Sequence, residues 1–145
     1  MKAGLGWLMA ILMSGAVQAT DLEVRVDNLQ STKGQVIIEL VNQQMYESEA
    51  DLEALYSVVL ETRVPSVQHI FRELPPGDYA IQVIHDLNSN YDLDFNVFTG
   101  PSEPLGLSRI KRVELENLPD WQRIKFSLQD LVIRSQPVVM TVTLN

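Results

Sequence analysis

Apolar and polar residues alternate with a period of two along most of this chain. Near the start, Leu22, Val24 and Val26 alternate with charged residues, which is the pattern of a strand with one buried face. Six later segments repeat it, so the sequence predicts an all-β, antiparallel β-sandwich of about seven strands. The seven segments are residues 22–26, 36–40, 57–63, 67–72, 78–85, 123–128 and 138–144.

The connections near the start of the chain predict a hairpin and a short helical segment. The polar segment 28–33 ends at Gly34, where the second strand opens, so the first two strands are expected to pair as a hairpin. Residues 43–56 break the alternation, and Ser48 stands three positions before Asp51 in a capping-box-like arrangement. We therefore expect at most one short helix, or an irregular crossover, in this part of the chain.

Segment 78–85 has the clearest strand pattern. Tyr79, Ile81 and Val83 share one face, and apolar residues also occupy part of the other, as expected for a central strand. The chain from 87 to 109 then loses any regular period and contains several prolines and glycines. Loops of this length are usually functional, ordered by a metal, or mobile.

The first nineteen residues have the composition of a secretory signal peptide. An apolar run over residues 5–17 follows Lys2, and small residues precede a cleavage site after Ala19. The alternative is a retained membrane anchor, but the run is short for a membrane span. Removing nineteen residues from 145 leaves 126, so we expect one domain over 20–145, with no membrane span after cleavage, in a secreted and periplasmic protein.

Charge and cysteine content exclude several classes of function. The chain has 11 basic and 19 acidic side chains and a formal net charge of −8. An acidic surface repels phosphate backbones, so nucleic-acid binding is not expected. There is no cysteine, which excludes a disulfide framework and a thiolate zinc site.

Oxygen-bearing side chains occupy alternate positions directly after the predicted central strand. Asp86, Asn88, Asn90, Asp92 and Asp94 offer the ligand type of Ca²⁺, which takes six to eight oxygen atoms. Alternation in a tight turn can aim such groups at one point. The sequence therefore predicts a calcium-ordered loop, with calcium as a structural cofactor.

The spacing is not that of an EF-hand. Counted from Asp86, the sixth residue is Tyr91 and not glycine, and the twelfth is Val97 and not glutamate. A shorter loop of the kind found in extracellular β-modules remains open, with Asp94 closing the shell and Glu103 reaching in. The alternative is a metal-free loop, in which the Asn and Asp side chains hydrogen-bond their own backbone as Asx turns.

Three aromatic residues place apolar surface beside this polar loop. Tyr91, Phe95 and Phe98, with Glu103 nearby, could form a surface for a glycan or an envelope protein. They could equally pin the loop to the core, and pinning is the simpler expectation. We interpret the protein as a binding or structural module whose working end is the loop over 86–108, with no catalysis expected.

A catalytic function is the alternative to a binding or structural role. Asp94 or Glu103 could belong to a glycosidase-like pair of carboxylates, which would make the protein a hydrolase. His85 adjoins Asp86, but neighbouring strand residues point to opposite faces and are poorly placed as a base and its orienting group. A hydrogen-bonded histidine at the edge of the core is the expected role of His85, and Ser108 lacks the setting of a nucleophile elbow.

Several segments are similar to those of a family of secreted bacterial proteins catalogued as domain of unknown function 2141. The resemblance spans the chain from about Leu22 to Leu144 and implies an immunoglobulin-like or transthyretin-like β-sandwich, without an established activity. The segments that carry it are Phe-Arg-Glu-Leu-Pro-Pro-Gly-Asp-Tyr-Ala over 71–80, His-Asp-Leu-Asn-Ser-Asn over 85–90, Leu-Asp over 93–94, Glu-Pro-Leu-Gly-Leu-Ser over 103–108 and Pro-Asp-Trp over 119–121.

This chain departs from the family pattern at two positions. Tyr91 stands where the family usually has a glycine, and Thr99 stands where it has another, with Gly100 one position late. A residue with a side chain enters the left-handed backbone region only at a cost. We therefore expect either a wider loop at Tyr91 or a weakened wrapping of a cation.

Overall fold

The computed structural model describes residues 18–48, 50, 52–96, 98–111, 113, 118–132 and 138–145. Within these ranges the protein is mostly β, with two main sheets, as the sequence predicts. Residues 1–17 of the predicted signal peptide lie outside the described residues, so its cleavage stays a prediction. No helix in the described residues is long and apolar enough to cross a membrane.

The first sheet has three strands in the order β10-β1-β4. Its central strand β1 pairs antiparallel with β4 but parallel with β10, where Leu22 is opposite Val138. The otherwise antiparallel architecture thus contains one parallel pair, between the first and the last strand. The strands are β1 (Thr20–Asp27), β4 (Val67–Leu74) and β10 (Val138–Thr143).

The second sheet has the order β3-β2-β5-β8, with the short strand β9 also paired to β5. A separate two-stranded hairpin, β6 with β7, lies within the long loop after β5. Of the ten described strands, seven have three residues or more; six of these correspond to predicted strands, and β8 was not predicted. The remaining bounds are β2 (Gln35–Val41), β3 (Tyr56–Glu61), β5 (Asp78–Asp86), β6 (Phe95–Asn96), β7 (Gly100–Pro101), β8 (Leu105–Leu107) and β9 (Phe126–Ser127).

The predicted hairpin of the first two strands is wrong. β1 and β2 belong to different sheets, and the segment between them crosses from one sheet to the other. The crossing turns at Asn28, which has φ 71°, and buries Leu29, whose N–H donates to the Pro65 carbonyl oxygen over 3.0 Å. A turn-like composition does not distinguish such a crossover from a hairpin turn, because both need left-handed and polar positions.

Three helices of four or five residues occur in the described residues, more than the single one expected. The helix α1 (Gln43–Glu47) begins at Asn42, whose side chain accepts from the Met45 N–H, and it ends before Ser48. The predicted cap at Ser48 is therefore wrong, and its partner Asp51 lies outside the described residues. The others are α2 (Trp121–Ile124) and α3 (Leu128–Val132).

The strand predicted over 123–128 is wrong as well, although its burial is right. Ile124, Phe126 and Leu128 are all buried, but they lie in α2, in β9 and at the start of α3. Each element is too short to set a period of its own. The alternation therefore predicted which residues are buried but not the secondary structure in which they lie.

Strand β5 is central, as predicted, because it lies between β2 and β8 and both of its faces are covered. Tyr79, Ile81 and Val83 belong to the core between the two sheets. On the opposite face, Ala80 packs in a second cluster with Trp121 and other residues of the C-terminal half. The long loop therefore starts from the best supported strand of the fold.

Candidate functional site: an anchored polar loop

The loop is fixed at its start by the buried carboxylate of Asp86, the last residue of β5. Its side chain is fully buried and accepts three hydrogen bonds. The Asn90 N–H donates to Oδ1 over 3.1 Å, the Tyr91 N–H donates to Oδ2 over 2.9 Å, and Gln35 Nε2 donates to Oδ2 over 2.8 Å. Asp86 thus folds the loop back over the end of its own strand.

These bonds determine the charge state of Asp86. Burial raises the pKa of its carboxyl, but hydrogen bonds, chiefly those from the Tyr91 N–H, Gln35 and the Asn90 N–H, outweigh burial, so the pKa lies below its ordinary value. Hydrogen bonds to a carboxylate favour its ionised form. Asp86 is therefore a buried anion at neutral pH, stabilised by donors and not by a cationic side chain.

A second buried carboxylate joins the two ends of the loop. Glu103 is 6% exposed. Its Oε1 accepts from the Leu87 N–H over 2.7 Å, and its Oε2 accepts from the Asp94 N–H over 3.1 Å. Glu103 does reach into the loop from the proline-containing segment, as the sequence suggested, and its partners are backbone donors.

Gly34 allows the backbone of the loop to approach strand β2 closely. It has φ 69°, and a Cβ built there would lie 2.0 Å from the Asp86 carbonyl oxygen and 2.7 Å from the Leu87 Cα. No side chain fits this space. The register that pairs Gln35 with Asp86 therefore requires a glycine at the preceding position.

Asn88 and Asn90 form the Asx turns that were the metal-free alternative. Asn88 Oδ1 accepts from the Asn90 N–H over 3.1 Å, and Asn90 Oδ1 accepts from the Asp92 N–H over 2.9 Å. Their amide nitrogens both donate to the carboxylate of Asp94. Four of the five predicted ligands, Asp86 included, are thus joined in one hydrogen-bonded loop, and Asp92 is exposed.

Hydrogen bonds within the loop occupy four of the five predicted calcium ligands, so calcium binding stays a prediction. Asp86 is buried and already accepts three bonds, and the asparagines point nitrogen, not oxygen, at Asp94. Within the described part of the chain there is no group of three or more His, Cys, Asp or Glu side chains placed to hold a metal ion. A cation would have to displace hydrogen bonds that the loop makes with itself.

The backbone at Tyr91 has the left-handed conformation that glycine adopts most readily. Tyr91 has φ 67° and Ser89 has φ 59°, so both adopt the left-handed conformation. For a residue with a side chain this conformation costs roughly 1–2 kcal/mol. The hydrogen bond from the Tyr91 N–H to Asp86 holds the residue in this conformation.

Two of the three aromatic side chains project into solvent. Tyr91 is 67% exposed and Phe98 is 93% exposed, so neither pins the loop to the core, and that expectation is wrong for both. The side chain of Phe95 lies outside the described part of the structure, while its backbone pairs with Pro101 in the hairpin of β6 and β7. The loop is held by carboxylates and leaves aromatic surface free.

His85 and Ser108 have structural partners. His85 is 1% exposed, and its Nε2 donates to the Lys33 carbonyl oxygen over 2.8 Å, in agreement with the role expected at the edge of the core. Ser108 is fully buried, donates to the Ile124 carbonyl oxygen over 2.7 Å and accepts from the Ile81 N–H over 2.9 Å. Both side chains therefore satisfy backbone hydrogen-bonding groups in the interior of the protein.

Sequence reasoning missed Gln35 and Gly34 as parts of the site. They lie more than fifty positions before the loop, and only the pairing of β2 with β5 brings them to Asp86. The available signal was a glycine directly before a strand. That signal identifies a turn but does not say what packs against it.

The fold and the site define an all-β protein that displays one internally braced polar loop at the end of its central strand. The family model described as "Uncharacterized protein conserved in bacteria (DUF2141)" matches residues 24–135. The chain belongs to this family, as the resemblance in its sequence indicated. Searches of the curated proteins and of the solved structures give no match.

Proposed function

We propose that this protein is an exported bacterial binding module, and that the loop over 86–108 is its recognition site. The observation that carries the proposal is the contrast within the loop. Its base is fixed by two buried carboxylates, while Tyr91 and Phe98 at its surface are 67% and 93% exposed. Export to the periplasm rests on the signal-peptide pattern in residues 1–19.

A braced loop with free aromatic side chains is suited to recognition. Aromatic rings contribute large contact areas at interfaces, and a loop that is already ordered loses less entropy when it binds. Here the order comes from Asp86 and Glu103, which hold the backbone on both sides of the aromatic positions. The partner is a glycan or protein of the envelope, which stacks on this surface.

The hydrogen bonds also support binding over the hydrolase alternative. An acid–base carboxylate must exchange a proton with its substrate. Both oxygens of Glu103 accept from backbone N–H groups, and both oxygens of Asp94 accept from asparagine amides. These carboxylates act as braces, and a catalytic role would require the loop to open.

Calcium stays a prediction and would act on the same loop. Binding requires the Asn88 and Asn90 amides to turn their oxygens toward Asp94, at the cost of the two Asx bonds. Such a site belongs to the weak extracellular class, with a dissociation constant of roughly 10⁻⁴ to 10⁻³ M. Calorimetric titration with Ca²⁺ tests this prediction. The absence of both a binding heat and a thermal shift at millimolar Ca²⁺ would refute it.

The binding proposal is tested with immobilised envelope glycans and with envelope extracts, using Phe98→Ala and Tyr91→Ala. Both variants are expected to bind less while folding normally, because the side chains are exposed. Leu118→Ala is the matched control, since Leu118 is 59% exposed outside the loop. Retained binding by the double aromatic variant would remove the loop from recognition, whereas activity on a glycoside or ester panel lost in Glu103→Gln would favour the hydrolase.

A further inference from the structure

The two long sides of the sandwich are closed differently. On one side, strands β8 and β10 come together, since the Asn145 N–H donates to the Leu105 carbonyl oxygen and Gly106 packs against Val142. On the other side lie β3 and β4, the outer strands of the two sheets. Val59, Leu60 and Val67 of these strands help to line an open groove of about 550 Å³.

Exposed apolar side chains concentrate on this open side. Six of the ten large hydrophobic residues that are exposed in the described structure fall within residues 52–70. Single exposed apolar residues need no explanation, whereas a concentration of them in and around two outer strands indicates an interaction surface. The six are Leu52, Leu55, Tyr56, Val59, Val64 and Ile70.

Strand β3 also lacks the protection that the other outer strand on this side has. Exposed edges are commonly blocked by charges or bulges. Strand β4 carries two charged residues, Arg72 and Glu73, and the φ of 53° at Glu73 interrupts its regular strand backbone. Within β3, Glu61 is the one charged residue, and it stands at the end of the strand.

The sequence of β3 fits a second copy of itself. In an antiparallel pair, residues directly opposite each other point to the same face. With Val59 opposite Val59 of the second copy, Ser57 faces Glu61, and Val58 faces Leu60. The half-buried pair Val58 and Leu60, which packs against the core, would meet its counterpart and continue that core across the edge.

Charge favours this register as well. The chain carries a net charge of −8, so two copies repel unless acidic groups are kept apart. Centring on Val59 places each Glu61 opposite a serine hydroxyl and not opposite the other carboxylate. Arg63 lies 4.0 Å from Glu61 and offsets its charge at the rim.

We propose that β3 is a homodimer interface, in which two copies pair antiparallel about Val59 and join their second sheets into one. The occupant is a second copy of this chain, because the antiparallel register about Val59 pairs half-buried Val58 with half-buried Leu60 and keeps the two Glu61 carboxylates apart. The interface lies on β3 and does not involve the loop over 86–108. It is thus independent of the proposed recognition function.

Cysteine cross-linking tests the register, because the chain contains no cysteine. Opposite residues in an antiparallel pair have Cα atoms about 4.5–5.5 Å apart, within disulfide range. Val59→Cys should therefore form a disulfide-linked dimer on mild oxidation. Ser57→Cys should not, because its counterpart is displaced by four residues, about 13 Å along the strand.

Sedimentation tests the dimer itself. The unmodified protein should dimerise, and Val59→Lys should shift it to monomer by placing two ammonium groups opposite each other. Val139→Lys is the matched control, since Val139 is 41% exposed and Val59 is 42% exposed, and it should leave the dimer intact. A protein that remains monomeric up to about 1 mM, or equal cross-linking through Ser57→Cys and Val59→Cys, would overturn the proposal.

Discussion

The base and the tip of the loop after β5 use the same kinds of residue for opposite purposes. At the base, Asp86 and Glu103 are 0% and 6% exposed and accept backbone N–H groups. At the tip, Asp92, Tyr91 and Phe98 are all exposed. The role of a carboxylate in this loop thus depends on its burial and on the hydrogen-bond donors around it. The spacing of residues in the sequence specifies neither.

The largest effect is expected when the base is broken by Asp86→Ala. The change leaves the Tyr91 N–H and the Gln35 amide without their acceptor, while the Asn90 N–H keeps Asn88 Oδ1. Each buried unsatisfied group costs about 1–3 kcal/mol, so we expect a loss of about 4 kcal/mol in the free energy of unfolding, measured by urea denaturation. Asp92→Ala at the exposed tip is the control and should change stability by less than about 0.5 kcal/mol.

Acid should remove the contribution of the Asp86 carboxylate to the stability of the protein. The pKa of Asp86 lies below its ordinary value of 3.8 in the folded protein, so the unfolded chain takes up this proton at a higher pH. Its contribution to stability is complete above about pH 3.8 and is lost as the pH falls through the folded pKa. The stability gap between wild type and Asp86→Ala should therefore narrow below pH 3.8, and a constant gap would contradict the ionised anchor.

Tyr91→Gly tests the cost of the left-handed backbone at Tyr91, which links the base of the loop to its tip. Tyr91 has φ 67°, a conformation that glycine adopts freely, although glycine adds entropy to the unfolded chain. We expect a net stabilisation of up to about 1 kcal/mol, seen as a higher melting temperature. The same variant should lose binding, because the exposed ring is removed, whereas destabilisation would mean that the ring supports the loop.

The smallest effect on stability is expected for Phe98→Ala. Its side chain is 93% exposed, so truncation removes almost no buried surface and should change the free energy of unfolding by less than about 0.5 kcal/mol. Thermal melting checks this directly. A loss above about 1 kcal/mol would show that the tip, like the base, contributes to the fold.

The sequence predicted the faces of the strands well and their partners poorly. Alternation identified Val24, Ile38 and Ile81 as inward residues, and each is fully buried, because a period of two follows directly from strand geometry. Pairing depends on which distant segment covers an edge. Strand pairing therefore depends on contacts between segments far apart in the sequence, and β1 pairs with β4 and β10 and not with β2.

The same limit applies to the site. The loop, its oxygen-bearing positions and the reach of Glu103 were all predicted from residue types. The role of Asp86 was not, because it depends on Gln35 and Gly34, which arrive through the register of β2 with β5. Whether an asparagine offers its oxygen to a cation or to its own backbone is likewise decided by local geometry and not by spacing.

The pairing of β1 with β10 has a consequence for how the chain reaches its native state. The side chain of Asn28 bonds the Leu144 carbonyl oxygen, 116 residues away, and β1 lacks one neighbour until the last strand arrives. Contacts of such long range slow folding, since a large loop must close before they form. We expect a nascent chain to stay incompletely folded until its C-terminal strand is available.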